Sequence, residues 1–223
     1  IKRSAFDVIG YVAMLLFLGR ALVAPEVTPE LLAPALVLLP VLGLMDKTLF
    51  LAARAEHYYT ALVVLAVAAG DTTIAIAACQ MIWMFIWFWA AVSKVNNHFG
   101  SVIMVMMNNG PFFPKMLKKN LFADFPNDIT PSRFAHFMAF FGHVSEFIIP
   151  FILFYGTATG NAWVLLGGCI LFTGFHGFIG LNNPAGMPVE WNILMIYGGW
   201  NLFWFHPDAA ILEMTQMPIL FGI

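Results

Sequence analysis

The chain has 223 residues, of which 61% are hydrophobic and only 10% are charged, and its formal net charge is −2. A soluble domain carries about one-quarter charged residues, so this composition excludes an exterior that faces water on all sides. The small net charge also excludes the strongly basic surface of a nucleic-acid-binding protein. We therefore predict an integral membrane protein without a nucleic-acid partner.

Apolar segments separated by charged residues, Pro or Gly predict seven transmembrane helices. In chain order they are Ala5–Val23, Leu31–Met45, Tyr58–Gly70, Thr72–Val95, Phe134–Tyr155, Ala162–Leu181 and Trp191–Phe205. The third is shorter than the ~20 residues that a crossing needs, unless it extends back through Glu56. We predict an all-α fold, a polytopic transmembrane helix bundle of about seven spans that forms a single domain over residues 1–223.

Residues 96–133 differ from the rest, because lysines, aspartates and prolines concentrate there and predict a polar cytoplasmic connection. With seven spans and a cytoplasmic amino terminus, nine of the ten Lys and Arg residues fall on the inner side, and the exception is Arg20. This bias matches the positive-inside rule. It predicts that the amino terminus lies in the cytoplasm and that the partners include membrane lipids, with the Lys118-Lys119 pair on anionic head groups. Since the chain begins at Ile1, we also expect an upstream segment.

Three polar residues form a stripe on the fifth predicted span: His136, His143 and Glu146. Seven residues turn an α-helix by about 700°, so the two histidines share a face, and Glu146 three residues on joins them. A His and a carboxylate at this spacing present metal ligands in helix bundles. The same stripe also suits a proton-handling or substrate-binding cavity, or a buried hydrogen-bonded network. All three interpretations stay open.

Three further residues are candidates because polar groups at membrane depth usually serve a purpose. Lys94 lies at the end of a Trp-rich span. It is either a desolvated base or a cation whose side chain reaches the membrane interface. His176 lies between Phe175 and Gly177. It is either an axial ligand for a porphyrin or chlorin or a histidine of the core. Glu190 either belongs to the site or favours the positive start of a helix.

Small residues predict where helices approach each other closely in the bilayer. The candidates share one predicted span: Gly167, Gly168, Gly174 and Gly177.

Short segments that combine polar and apolar residues run through nearly the whole chain. They are Met45-Asp46-Lys47-Thr48-Leu49-Phe50-Leu51-Ala52-Ala53-Arg54, Val92-Ser93-Lys94, His98-Phe99, Phe125-Pro126-Asn127-Asp128, Pro131-Ser132-Arg133, Glu146 with Pro150, Phe175-His176 and Pro188-Val189-Glu190-Trp191-Asn192. Together they resemble an uncharacterised family of bacterial multi-pass membrane proteins, frequent in mycobacteria and known only as a domain of unknown function. The resemblance implies a protein of the bacterial cytoplasmic (inner) membrane with a membrane fold, and no particular activity.

A more distant likeness rests on Ser93-Lys94 at the end of an apolar helix. It is similar to the horizontally transferred transmembrane domain of vitamin K-dependent carboxylases. In those enzymes a lysine at such a place serves as base toward a quinol. The likeness implies the same role for Lys94.

These residues predict an integral membrane accessory or binding subunit of a larger membrane assembly. It would hold a lipid, quinone or pigment in an intramembrane polar cavity, with partner proteins around it. The alternative is a membrane-embedded enzyme that acts on a lipid or quinone by acid/base chemistry. The catalytic candidates are Lys94, His143 and Glu146, the cofactor-binding candidates are His136, His176 and Glu190, and the metal candidates are His136, His143 and Glu146. The cofactor stays open among metal, haem, pigment and quinone.

Overall fold

The computed structural model describes residues 4–52, 55–182, 189–208 and 211–212, without the side chains of Leu49, Ala52, Glu56 and Glu190. These parts of the chain are almost entirely helical. The α-helices are α1 Ala5–Val23, α2 Pro29–Met45, α3 Lys47–Ala52, α4 Ala55–Val67, α5 Thr72–Ser93, α6 Phe99–Asn109, α7 Lys115–Lys118, α8 Arg133–Thr159, α9 Ala162–Asn182 and α10 Val189–Gly199. A 3-10 turn covers Lys119–Leu121, strands β1 Phe122–Asp124 and β2 Asp128–Pro131 pair antiparallel, and a π-helical turn covers Trp200–Trp204.

The predicted all-α membrane architecture is confirmed, but the count of about seven spans is not. Within the described ranges, four helices are long and apolar enough to cross a membrane: α1, α5, α8 and α9. Helix α2 has 17 residues and α4 has 13. At a rise of 1.5 Å per residue, α2 covers about 25 Å, less than the ~30 Å hydrocarbon core.

The chain divides into two compact units, one of Ile1–Ile82 with Ala209–Ile223 and the other of Trp83–Asp208. In the first, α1 packs on α2, and α2 packs on α4. The buried residues Met14, Ala35 and Leu42 form the centre of these contacts. Burial of this small apolar set holds α1 and α2 side by side.

In the second unit, α8 packs along α9, α9 packs against α10 and the π-helical turn, and α6 packs on α8. The α8–α9 contact is close because glycines lie in it. A Cβ added at Gly156 would lie 2.9 Å from Leu165 Cδ2, and one at Gly168 would lie 2.8 Å from Leu153 Cδ2. The predicted close approach is thus confirmed at Gly168. It is not found at the other predicted positions, where an added Cβ would meet nothing within 4 Å: Gly167, Gly174 and Gly177.

The predicted polar connection is not polar throughout, because it contains helix α6. Ile103, Met104 and Met107 of α6 are buried against Ala135 and Ala139 of α8. The spacing of these three residues is that of one helix face. The apolar run is short, and the lysines and prolines that follow it dominate the composition of residues 96–133. For this reason the sequence predicts a polar connection over the whole stretch.

Lys118 stabilises the end of α6. Its Nζ donates to the carbonyl oxygens of Asn108 at 2.7 Å and Gly110 at 2.9 Å, where the last carbonyls of a helix lack partners of their own. We expect Lys118→Met to lower the free energy of unfolding by about 1 kcal/mol, since two acceptors lose a charged donor. Denaturant unfolding in detergent measures this. The exposed neighbour Lys119 is the control, and an equal loss in Lys119→Met would contradict the prediction.

The hairpin carries a local carboxylate motif outside the long apolar helices. Oδ1 of Asp128 accepts from the hydroxyl of Thr130 at 2.7 Å and from its backbone N–H at 2.9 Å. The hydrogen bond from the hydroxyl, and to a lesser extent the one from the backbone N–H, hold the pKa of Asp128 below its ordinary value. Because the folded pKa is depressed, their stabilisation is present above the unfolded pKa and is lost as the pH falls through the folded pKa.

We therefore expect Thr130→Val to raise the pKa of Asp128 towards its ordinary value, because it removes the hydroxyl and keeps the backbone N–H. Carbon-13 NMR titration of the Asp128 carboxyl group measures this change. Thr159→Val is the control, since the Thr159 hydroxyl donates to the Tyr155 carbonyl at 2.7 Å instead. An unchanged titration in Thr130→Val would contradict the prediction.

Candidate functional site

An ion pair joins the end of α5 to the middle of α8. Lys94, directly after α5, donates from Nζ to Oε2 of Glu146. The Lys94 side chain is 27% exposed and that of Glu146 is 8% exposed. A buried carboxylate without a partner is strongly unfavourable, so Lys94 compensates the charge of Glu146.

His143 belongs to the same group, because it precedes Glu146 by about one helical turn. The two residues interact electrostatically. Nδ1 of His143 is buried and has no hydrogen-bond partner among the described residues. The structure therefore brings together the three predicted catalytic candidates, Lys94, His143 and Glu146.

His136 does not join them. It is exposed on α8, and its ring packs against α6, where a Cβ added at Gly100 would lie 2.5 Å from His136 Nδ1. Along the helix axis, His136 and His143 are about 10 Å apart, whereas all ligands of a metal lie within roughly 2–2.5 Å of it. No group of three His, Cys, Asp or Glu residues in the described ranges could hold a metal ion. The predicted metal set of His136, His143 and Glu146 therefore does not form. The three residues lie on one face of α8, but His136 is too far from the other two along the helix axis to bind the same ion.

His176 of α9 is buried, and Asn192 of α10 orients it. Nδ1 of His176 lies 2.8 Å from Oδ1 of Asn192, and the two residues are 5% and 6% exposed. Nε2 of His176 is buried without a hydrogen-bond partner among the described residues. The Lys94 ammonium interacts electrostatically with the same ring. His176 therefore interacts electrostatically with a member of the ion pair.

Aromatic rings pack around His176 and Lys94. The ring of Trp87 stands perpendicular to that of His176 at a centroid distance of 4.8 Å, and Phe175 lies 5.8 Å from His176. The Lys94 Nζ lies 5.9 Å from the centroid of Phe99. Apolar rings lower the local dielectric response, which strengthens each charge and each hydrogen bond inside. We name the five residues Lys94, His143, Glu146, His176 and Asn192 the polar centre.

Two features of the polar centre are not predicted from the sequence. The first is Asn192, although an amide in an apolar helix is itself a signal. Its pairing with His176, 16 residues away, depends on how α9 and α10 pack. The second is the contact of Trp87 with His176, which likewise depends on how their helices pack. The predicted site residue Glu190 has a side chain that lies outside the described part of the structure.

The sequence profile of a family described as transmembrane protein of unknown function, DUF3556, matches residues 1–223. The chain belongs to this family. The predicted resemblance to an uncharacterised membrane family is thus confirmed for this DUF3556 protein. No curated protein and no solved structure matches the chain significantly. The description of the family names no activity.

Proposed function

We propose that this DUF3556 protein binds a lipid-soluble ligand whose polar head group lies at the polar centre. The observation that carries the proposal is a pair of buried ring nitrogens without hydrogen-bond partners among the described residues, His143 Nδ1 and His176 Nε2. Both histidines interact electrostatically with the ion pair. A buried polar atom without a partner destabilises the fold by about 1–3 kcal/mol. Native proteins usually satisfy such atoms, and a bound head group supplies the missing partners.

The surroundings of the polar centre suit a ligand that arrives through the bilayer. The outer face of α8 carries large exposed apolar side chains: Phe137, Phe140, Phe141 and Phe151. Such a surface is stable against acyl chains and not against water. A lipid, a quinone and a pigment share an apolar body with a few hydrogen-bonding atoms, and each fits this description. Delivery of such a ligand to partner proteins in a larger membrane assembly is part of the proposal.

A second candidate is acid/base chemistry on the same ligand, and one observation favours it. Nζ of Lys94 and Oε2 of Glu146 are hydrogen-bonded, so a proton can pass from Nζ to Oε2. The products are a neutral amine, which can accept a proton from a substrate, and a carboxylic acid, which holds the transferred proton. Lys94 is the more exposed partner and is the one that a substrate would reach.

Ligand content tests the binding function. The protein is purified in lipid nanodiscs, and small molecules are extracted and identified by mass spectrometry. We compare the wild type with the double variant Lys94→Met/Glu146→Leu, which replaces the ion pair by apolar side chains, and with Lys119→Met as a control outside the polar centre. The proposal expects a bound molecule in the wild type and the control that is lost in the folded double variant. Equal content in all three would overturn it.

The same extract tests the second candidate. If the protein is an enzyme, the bound molecule is converted to a product when the wild type is incubated with membrane lipid extract. Conversion disappears in Lys94→Met/Glu146→Leu. Binding without any conversion would leave the binding function and remove the enzymatic one.

We propose further that the protein lies in a bacterial cytoplasmic membrane with its amino terminus in the cytoplasm. The support is the bias of Lys and Arg towards one side of the predicted spans. Asn120 and Glu26 are both exposed, and the proposal puts them on opposite sides. We expect an impermeant thiol reagent to label Glu26→Cys in intact cells and Asn120→Cys only after permeabilisation. Labelling of Asn120→Cys in intact cells would overturn this orientation.

A further inference from the structure

The amide of Asn192 faces one ring nitrogen of His176. It presents Oδ1 to Nδ1 at 2.8 Å, and a carbonyl oxygen only accepts hydrogen bonds. This orientation of the amide requires the tautomer with the proton on Nδ1, in which Nε2 is a bare acceptor. A hydrogen bond at one ring nitrogen commonly sets the role of the other in this way.

We infer that His176 Nε2 accepts a hydrogen bond from a hydroxyl group, and that the ligand is a membrane-soluble alcohol or phenol. The inference rests on the proposed function and names the chemistry of its ligand. Nε2 is buried without a partner among the described residues. A ketone, ether or ester oxygen placed there would oppose one acceptor with another and leave Nε2 unsatisfied.

The neighbours of His176 favour a hydroxyl over a metal ion at the same nitrogen. Lys94 is paired with Glu146, so the ion pair adds no net charge that would attract a cation. No group of three His, Cys, Asp or Glu residues in the described part of the chain could hold a metal ion. Trp87 and Phe175 pack against the imidazole and supply apolar contact for the carbon skeleton that carries the hydroxyl.

The tautomer is tested first, without any ligand. Nitrogen-15 NMR of the histidine-labelled protein in nanodiscs is expected to show Nδ1 of His176 protonated and Nε2 bare. Asn192→Leu, which removes the acceptor, is expected to shift that ring towards the other tautomer. A wild-type spectrum with Nε2 protonated would mean that the Asn192 amide faces the other way. It would overturn the inference and leave the proposed function untouched.

The ligand class is tested with two probes that differ in a single donor: para-octylphenol and its methyl ether, para-octylanisole. Binding of each is measured calorimetrically in nanodiscs for the wild type and for His176→Phe, so that partition into lipid cancels in the comparison. We expect the phenol to bind about three- to tenfold more weakly to His176→Phe, the value of one hydrogen bond. The ether should bind both proteins alike. His206→Phe is the control, because His206 is exposed and its Nδ1 lies 2.8 Å from the Asn201 carbonyl.

The outcomes separate the inference from the proposed function. If phenol and ether respond alike to His176→Phe, or if neither binds, the inference is overturned. The proposed function is then tested separately, by the ligand content of Lys94→Met/Glu146→Leu. Should His176→Phe fail to fold, Asn192→Leu is measured with the same probes. A phenol affinity unchanged in that variant, beside a shifted tautomer, would also overturn the inference.

Discussion

Lys94→Met is expected to lower the free energy of unfolding by about 3–5 kcal/mol, because it leaves the carboxylate of Glu146 buried without a partner. Glu146 is 8% exposed, so water cannot replace the lost ammonium. The opposite change, Glu146→Gln, should be milder. The amide keeps the shape and can still accept from Lys94, and the remaining ammonium is on the more exposed partner.

The double variant Lys94→Met/Glu146→Leu separates the value of the pair from the penalty of breaking it. Replacing a buried ion pair by apolar side chains of similar size is often neutral or stabilising. We expect its stability to lie within about 1 kcal/mol of the wild type, or above it. Denaturant unfolding in detergent measures all the variants, with Lys119→Met as the surface control. A double variant as unstable as Lys94→Met alone would contradict this account.

Gly156→Val is expected to destabilise the α8–α9 contact by about 1–3 kcal/mol, the usual consequence of overpacking a tight interior. A Cβ at Gly156 would lie 2.9 Å from Leu165 Cγ and 3.1 Å from the Leu165 backbone nitrogen. Leu165 is fully buried, and its backbone belongs to α9, so neither atom can move away freely.

Gly142→Val is the matched control, because Gly142 lies on the same helix and an added Cβ there would meet nothing within 4 Å. The helix propensities of glycine and valine enter both variants equally, so the difference between them isolates the steric contact. The free energy of unfolding in detergent gives that difference. Equal destabilisation of the two variants would show that backbone propensity, and not the close approach of α8 and α9, is responsible.

The long apolar helices were determined by the sequence alone. The predicted span from Thr72 to Val95 corresponds to α5 Thr72–Ser93, and the one from Ala162 to Leu181 corresponds to α9 Ala162–Asn182. The physical reason is that a bilayer leaves a crossing segment little choice. It needs about 20 apolar residues, and it must satisfy its backbone internally.

Shorter apolar segments were not determined in this way. Ten to seventeen apolar residues suit a buried helix, an interfacial helix or a partial crossing equally well. Helix α6 was assigned to a loop for this reason, and the predicted count of seven spans depends on segments of the same length. The helices that pack against such a segment decide which of these it becomes, and the composition of the segment does not show which helices those are.

Within the polar centre, periodicity determined only what lies on one helix. The helical repeat placed His143 and Glu146 on one face of α8, and the structure keeps them together. The partner of Glu146 is Lys94, 52 residues earlier, and the partner of His176 is Asn192 on the next helix. Neither pairing follows from a local pattern. The tertiary structure decided both, because a hydrogen bond between helices depends on which helices are neighbours and how they are rotated about their axes.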